Sequence, residues 1–313
     1  MRNCFIAIVV CLLIAACGQQ TKAPKEKQPV VVSLTGTPYY EPERTPQQQA
    51  RLDSNLNVAR KNFDADPSEE NYIWYGRRTA YLMHLDDAIA IFTEGLEKYP
   101  ESYRLLRHRG HRYISTRKFN VAIADLVKAE TLMTGKPLEI EPDGAPNKLN
   151  IPLSTTQFNV FYHLALAHYL SGNLAAAEAT WKKCMAVSDN DDSRVAVADW
   201  LYMTLRRQNK NDEAAELLAT VGDSLTIIEN DSYYTRLKMY QGKLSPDEVL
   251  QVDPSASDYN LSMATQGYGV GNWHLYHGDT TKAFDVFNKV VSGKEFAAFG
   301  FIASENEIFR ANK

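Results

Sequence analysis

EENYIWYGRRTAYLMHLDDAIAIFTEGLEKYPES, residues 69–102, is followed directly by YRLLRHRGHRYISTRKFNVAIADLVKAETLMTGK, residues 103–136, and both stretches place small residues at the same offsets. Gly76 and Gly110 lie 34 residues apart. Large apolar residues recur around them at helical spacing. Small residues are needed where two helices cross closely, and large ones fill the space between crossings. The pattern therefore predicts pairs of helices stacked side by side. The same spacing separates Ala88 from Ala122 and Gly95 from Ala129.

This spacing resembles the tetratricopeptide repeat family, whose period is about 34 residues. At the family's signature sites stand Tyr72, Tyr75, Gly76, Ala88, Phe92, Gly95 and Pro100, and then Leu106, Gly110, Tyr113, Ala122, Leu126 and Ala129. Further repeats are expected at residues 158–191, from about Val195, around Tyr233 with a second helix shortened by Pro246, and at residues 264–297. The resemblance covers about residues 50–310. It implies an all-α fold, a tetratricopeptide-like α-solenoid of about five to six helix pairs with capping helices and an open concave face.

The beginning of the chain has the pattern of a secretion signal. A short basic start precedes an apolar run from Cys4 to Ala16, which is too short to span a bilayer. Cys17 follows two alanines, and this arrangement resembles the lipobox of bacterial lipoproteins. The resemblance implies that residues 1–16 are a signal peptide and that Cys17 carries lipid, palmitate included. An ordinary secretory signal with an incidental cysteine is the alternative.

A lipid on Cys17 implies a place on the cell membrane. Gly18 does not resemble an inner-membrane retention signal, which favours the outer membrane, on its periplasmic or surface face. Residues 17–46 are polar and interrupted by prolines, so they are predicted to be a flexible tether before a solenoid at residues 47–313. Val30-Val31-Val32 is the part of this tether that could dock on the folded domain.

Composition narrows the function classes. A net charge of −4 argues against a nucleic-acid partner, and 44% hydrophobic residues suffice for a globular core. Cys184 is the one cysteine beyond Cys17, so the part of the chain after it has no pair for an intrachain disulfide. Cys184 also falls at a small-residue site of the repeat, which predicts that it is buried.

The family resemblance also implies which side chains face the concave groove. Arginines near its start and tyrosines near its middle favour an acidic or carboxylate-bearing envelope protein or peptide. The family's known carboxylate clamp is not expected, because Ile73 and Arg77 stand where that clamp has lysine and asparagine. A solvated helical face is the alternative for the arginines. The predicted groove residues are Arg77, Tyr81, Arg104, Arg107, His111, Asn159, Tyr162, Tyr169, Arg206, Tyr268, Asn272 and Tyr276.

An insertion at residues 137–157 separates the second and third repeats. Its prolines exclude a helix, and Glu139, Glu141 and Asp143 make it acidic. Insertions of this length are often functional. We expect the loop to fold back onto Arg104, Arg107 or His111 as an internal occupant that a partner displaces. A loop held on the convex side is the alternative.

No motif for catalysis, phosphate binding or a metal site is present in the sequence. Histidines occur in helical pairs, but no third metal ligand is placed beside them. The sequence therefore predicts a non-enzymatic chain without metal or cofactor, a membrane-anchored scaffold or adaptor that binds proteins or peptides in the Gram-negative envelope. The alternative is a glycan- or nutrient-binding accessory lipoprotein of an outer-membrane uptake system. Against it, the tryptophans that would bind sugar lie mostly at packing sites.

Overall fold

The structure, a computed structural model, describes residues 28–256 and 259–313, and these are almost entirely helical. A short antiparallel ladder of β1 (Val31–Val32) and β2 (Pro38–Tyr39) comes first. The helices are α1 (Pro46–Ala65), α2 (Glu69–Tyr81), α3 (Leu85–Lys98), α4 (Tyr103–Ser115), α5 (Phe119–Met133), α6 (Thr156–Ser171), α7 (Leu174–Ala186), α8 (Asp191–Arg207), α9 (Asn211–Ala219), α10 (Asp231–Tyr240), α11 (Pro246–Val249), α12 (Tyr259–Tyr276), α13 (Thr280–Val291) and α14 (Phe299–Ala311).

Successive helices form six pairs, from α2–α3 to α12–α13, and these confirm the predicted tetratricopeptide-like α-solenoid. Turns of two or three residues join the helices in five of the pairs, so their two helices run antiparallel. The fifth pair is degenerate as predicted, because α11 begins at Pro246 and has four residues. In equivalent turns, Met83 and Arg117 both adopt positive φ, at 66° and 62°.

The small residues of the repeat lie at close helix crossings. A Cβ atom added to Gly76 would overlap the ring of Phe92, and one added to Gly110 would overlap Leu126. The shared spacing of Gly76 and Gly110 is therefore a packing requirement. Cys184 is fully buried, as its position in the repeat predicts.

Helix α1 covers the first end of the stack. Thr45 caps it through a reciprocal capping box with Gln48, and Pro46 occupies its first turn. Phe63 lies 4.7 Å from the ring of Tyr72, measured between centroids, and also stacks on Tyr75. The first helix pair is thus shielded from solvent on its outer side.

The predicted tether is wrong for residues 28–45, which pack against the folded domain. Val31 is buried, and Tyr39 stacks on Phe296 with 5.3 Å between ring centroids. The amide of Leu34 donates a hydrogen bond to Glu305 at 2.9 Å. The valines do dock, as expected, because the β1–β2 ladder satisfies their backbone while they cover apolar surface of α12, α13 and α14.

Helix α14 does more than cap the last repeat. It crosses the ends of several inner helices: Glu305 pairs with Arg117 after α4, Asn306 donates to the carbonyl of Leu170 near the end of α6, and Glu307 pairs with Arg207 at the end of α8. It therefore lies along one side of the concave face.

The predicted signal peptide and Cys17 lie outside the described residues. Within the described ranges, no helix is both long and apolar enough to cross a membrane.

Candidate binding cavity

The concave side of the first three helix pairs contains an enclosed cavity of about 370 Å³, called here the arginine cavity. Helices α2, α4 and α6 make its floor. Helix α10 adds Tyr233 at one end, and α14 inserts Phe299 from the side. Among the predicted groove residues, the structure brings Arg77, Tyr81, Arg107, His111, Asn159 and Tyr162 together around it.

Three arginines line the cavity, and they are unequally paired. Arg107 Nη2 lies 2.9 Å from Oε1 of Glu141, and Arg77 donates to the carbonyl of Pro142 at 2.7 Å. Arg112 has neither an acidic partner nor a side-chain hydrogen bond among the residues that the structure describes. Burial, with the nearby positive charges of Arg107 and Arg77, lowers the pKa of Arg112 to about 10, so it remains charged at neutral pH.

Three histidines lie beside these arginines and are held neutral. Burial lowers the pKa values of His108, His111 and His163 well below the usual value, and neighbouring arginines lower them further. Nδ1 of His163 donates to the carbonyl of Asn159 at 2.6 Å, which leaves Nε2 as an acceptor. That buried Nε2 has no hydrogen-bond partner within the described ranges. The histidines therefore offer acceptors without adding charge.

Aromatic side chains form the rest of the wall. The hydroxyls of Tyr162 and Tyr233 are 3.1 Å apart and bridge α6 to α10. Phe299 lies 5.4 Å from His111 and 5.6 Å from His163, measured between ring centroids. These rigid rings leave few ways for the cavity to collapse around its unpaired polar atoms.

Residues 137–155, called here the strap, cover the cavity from the side opposite α14. The predicted folding back onto Arg104 and Arg107 is confirmed, since Glu139 contacts Arg104 at 3.5 Å and Glu141 contacts Arg107. The contact expected with His111 is replaced by shared lining of the cavity. The alternative, a loop held on the convex side, is wrong for this segment.

Three predicted groove residues belong to other surroundings. Arg104 lies outside the cavity, where it forms ion pairs with Glu69, Glu70 and Glu139. Arg206 lies 4.4 Å above the ring of Tyr276, at the far end of the solenoid from the cavity floor. Neither Arg206 nor Tyr276 lines the arginine cavity.

The groove prediction is wrong for Tyr169, Tyr268 and Asn272, which are buried in the core. The hydroxyls of Tyr169 and Tyr268 are 2.6 Å apart, and Asn272 accepts from Arg207 at 3.0 Å. Helix α12 packs against α8 and α10, so side chains that would face an open groove meet one another instead. In this half of the molecule the concave face is filled from within.

The sequence analysis missed several residues of the cavity. Arg112 and His163 lie one helical turn or less beyond residues that it did select, on the flank of the predicted face. Their neighbours Tyr233 and Phe299 come from later helices, so the repeat pattern has no signal that places them here. Trp181 and Trp200, in contrast, are buried as their packing sites predict, and neither reaches this cavity.

No group of three or more histidine, cysteine, aspartate or glutamate side chains within residues 28–256 and 259–313 could hold a metal ion. The chemistry available is thus that of charge and hydrogen bonding.

Comparison with known proteins gives a likeness at the level of solved structures. One is YrrB, described as a tetratricopeptide protein with an unusual peptide-binding site, at a TM-score of 0.43 and 14% identity over 76% of this chain and 92% of YrrB. Another is PilF of Pseudomonas aeruginosa, at a TM-score of 0.45 and 14% identity over 85% of this chain and 92% of PilF. No protein-family model matches the sequence, and none of the curated proteins matches it either.

Proposed function

We propose that this chain is a lipid-anchored binding protein of the bacterial envelope, and that the arginine cavity receives a carboxylate of another envelope protein or peptide. The observation that carries the proposal is Arg112, a charged and largely buried guanidinium with no anion beside it among the described residues. Buried charges are normally paired, so a site of this kind favours an anionic ligand.

The other polar atoms of the cavity support the same ligand chemistry. Nε of Arg107 is a buried donor with no partner in the described part of the chain, and it lies on the same helix as Arg112. Each such donor costs about 1–3 kcal/mol while it stays unpaired. A carboxylate would satisfy it and would offset the repulsion between neighbouring guanidiniums.

The size of the cavity restricts the ligand. About 370 Å³ is near the lower limit for small-ligand sites, which span roughly 300–1,000 Å³. The space suits one or two acidic side chains or one chain end, because the strap and α14 leave no room for a long extended segment. We therefore expect recognition of a short acidic element that protrudes from its partner.

Binding of a fluorescent hexaglutamate peptide, capped at both ends, tests this proposal, with capped hexaglutamine as the ligand control. We expect Arg112→Gln to weaken hexaglutamate binding about tenfold, equivalent to the loss of about 1.4 kcal/mol of charge-assisted interaction. Binding by the wild type should also weaken as salt rises. Arg60→Gln, an exposed arginine on α1, is the matched control. Equal affinities of the two variants would contradict the proposal.

The proposed anchor rests on the sequence around Cys17. Because acyl chains on this residue would hold the protein on a membrane, wild-type protein should sediment with membranes and incorporate labelled palmitate. Cys17→Ser should lose both properties, whereas Cys11→Ser, within the same apolar run, should retain them. Membrane sedimentation of Cys17→Ser at the wild-type level would rule out the lipid anchor.

A further inference from the structure

The strap has two chemically different sides. Residues 139–141 pair with residues 154–156 in a short antiparallel bridge, through hydrogen bonds from Glu141 to Ser154 and from Thr156 to Glu139. Side chains alternate across such a bridge. Leu138 and Ile140 point outward and are 52% and 62% exposed, while Glu141 points inward and is 7% exposed. An acidic side chain is thus inserted into the cavity by a segment whose apolar residues face solvent.

Polar contacts hold the strap on the helices beneath it. Besides the ion pair between Glu141 and Arg107, Tyr103 donates to Glu139 at 2.7 Å. Arg78 donates to the carbonyl of Gly144 at 2.9 Å. Contacts of this kind are exchanged for others at little net cost, unlike a packed apolar interface. The strap is therefore attached in a way that a competing anion can reverse.

The pair between Glu141 and Arg107 is incomplete. One oxygen of Glu141 meets Nη2 of Arg107, while its Oε2 and Nε of Arg107 are buried without hydrogen-bond partners in the described residues. A free carboxylate can approach a guanidinium in a two-bond fork, which is stronger and more specific than one contact. The strap holds its carboxylate in a geometry that a ligand can improve.

We propose that Glu141 is a tethered competitor for the arginine cavity, and that the ligand is a carboxylate that displaces it from Arg107 and also pairs with Arg112. This inference rests on the proposed function and adds the regulation of the site. A tethered group competes at an effective concentration in the millimolar range, so weak anions are excluded while a ligand with several contacts can enter.

The fold allows the tip of the strap to move while its base stays in place. Gln157, in the first turn of α6, accepts from the amide of Glu139 and donates to the carbonyl of Pro137, which holds both strands of the base. At the tip, Gly144 packs directly on Tyr81 and Arg77, and an added Cβ atom would overlap both side chains. Gly144→Ala should therefore lift the tip without removing any charge.

Two variants test the competition with the capped hexaglutamate peptide. Glu141→Gln removes the charge of the competitor, and Gly144→Ala displaces the strap sterically. We expect each to bind hexaglutamate at least fivefold more tightly than the wild type. Hydrogen exchange should also be faster at strap amides in both variants, and in the wild type when hexaglutamate is added. Glu216→Gln, an exposed acid on α9, and Gly222→Ala, whose added methyl would have no neighbour closer than 3.9 Å, are the controls.

The outcomes separate the two proposals. If binding depends on Arg112 but neither strap variant tightens it, the competition by Glu141 is wrong and the proposed function stands. If no variant shows binding that depends on Arg112, the proposed function fails, and the competition fails with it. Tighter binding by Glu216→Gln equal to that of Glu141→Gln would reduce the effect to net charge and would overturn the inference.

Discussion

His163 shows how a single buried group couples the cavity to pH. Its pKa in the folded state is lowered by burial and by Arg107 and Arg112, whereas in the unfolded chain it is near 6.5. The unfolded state therefore binds more protons below about pH 6.5, and folding stability falls as pH falls. His111, whose pKa is lowered in the same way, acts in the same direction.

We predict that His163→Asn reduces this pH dependence. One such histidine contributes up to about 2 kcal/mol of lost stability between pH 6.5 and pH 5. Urea unfolding at pH 7.5 and pH 5 should therefore show a smaller difference for His163→Asn than for the wild type. His84→Asn, an exposed histidine near the α2–α3 turn, should retain the wild-type difference. Identical differences for all three proteins would show that His163 is not held neutral.

At the scale of residues, the sequence predicts which helix face a side chain occupies but not what covers that face. Arg77 and Arg107 were reached through the repeat offsets, and both line the cavity. Tyr268 was selected by the same reasoning, yet it is buried against Tyr169. The difference is made by α12 and α14, whose packing on the concave side depends on contacts between distant parts of the chain.

At the scale of elements, α14 is held across the solenoid by a buried ion pair. Arg117 donates to both carboxylate oxygens of Glu305, at 3.2 and 2.8 Å, and also to the carbonyl of Phe296. Both side chains are almost fully buried. The helical period of residues 299–311 predicts that α14 has a buried face, but a single sequence does not identify its partner surface.

We predict that Glu305→Ala destabilises the protein by about 3–5 kcal/mol, because it leaves the charge of Arg117 buried and unpaired. Urea unfolding measures this loss. The double variant Arg117→Met with Glu305→Leu should recover most of the stability, since apolar residues of similar size can replace a buried pair. If the double variant is as unstable as Glu305→Ala, the ion pair itself is required.

At the scale of the whole molecule, the first and last repeats are joined by residues 28–45. Val30 packs both against the first helix pair and against the cluster around Phe296 and Phe301, and Leu34 bonds to Glu305 from 271 positions away. In an open solenoid each repeat contacts only its neighbours. A 34-residue period therefore predicts the stack but contains no information about this closure, and the proline-rich composition of the segment indicated a tether.

Val31→Asp should open this closure while leaving the stack of repeats intact. Val31 is 8% exposed and contacts the cluster around Phe301, so a carboxylate there would be buried without a partner. We predict that amide hydrogen exchange in α14 becomes at least tenfold faster, whereas exchange in α6 and α7 stays near the wild-type rate. Val32→Asp is the matched control, because Val32 is the next residue of β1 and is 50% exposed. Equal acceleration by both substitutions, or acceleration throughout α6 and α7, would mean that residues 28–45 do not act as a separate clasp between the two ends.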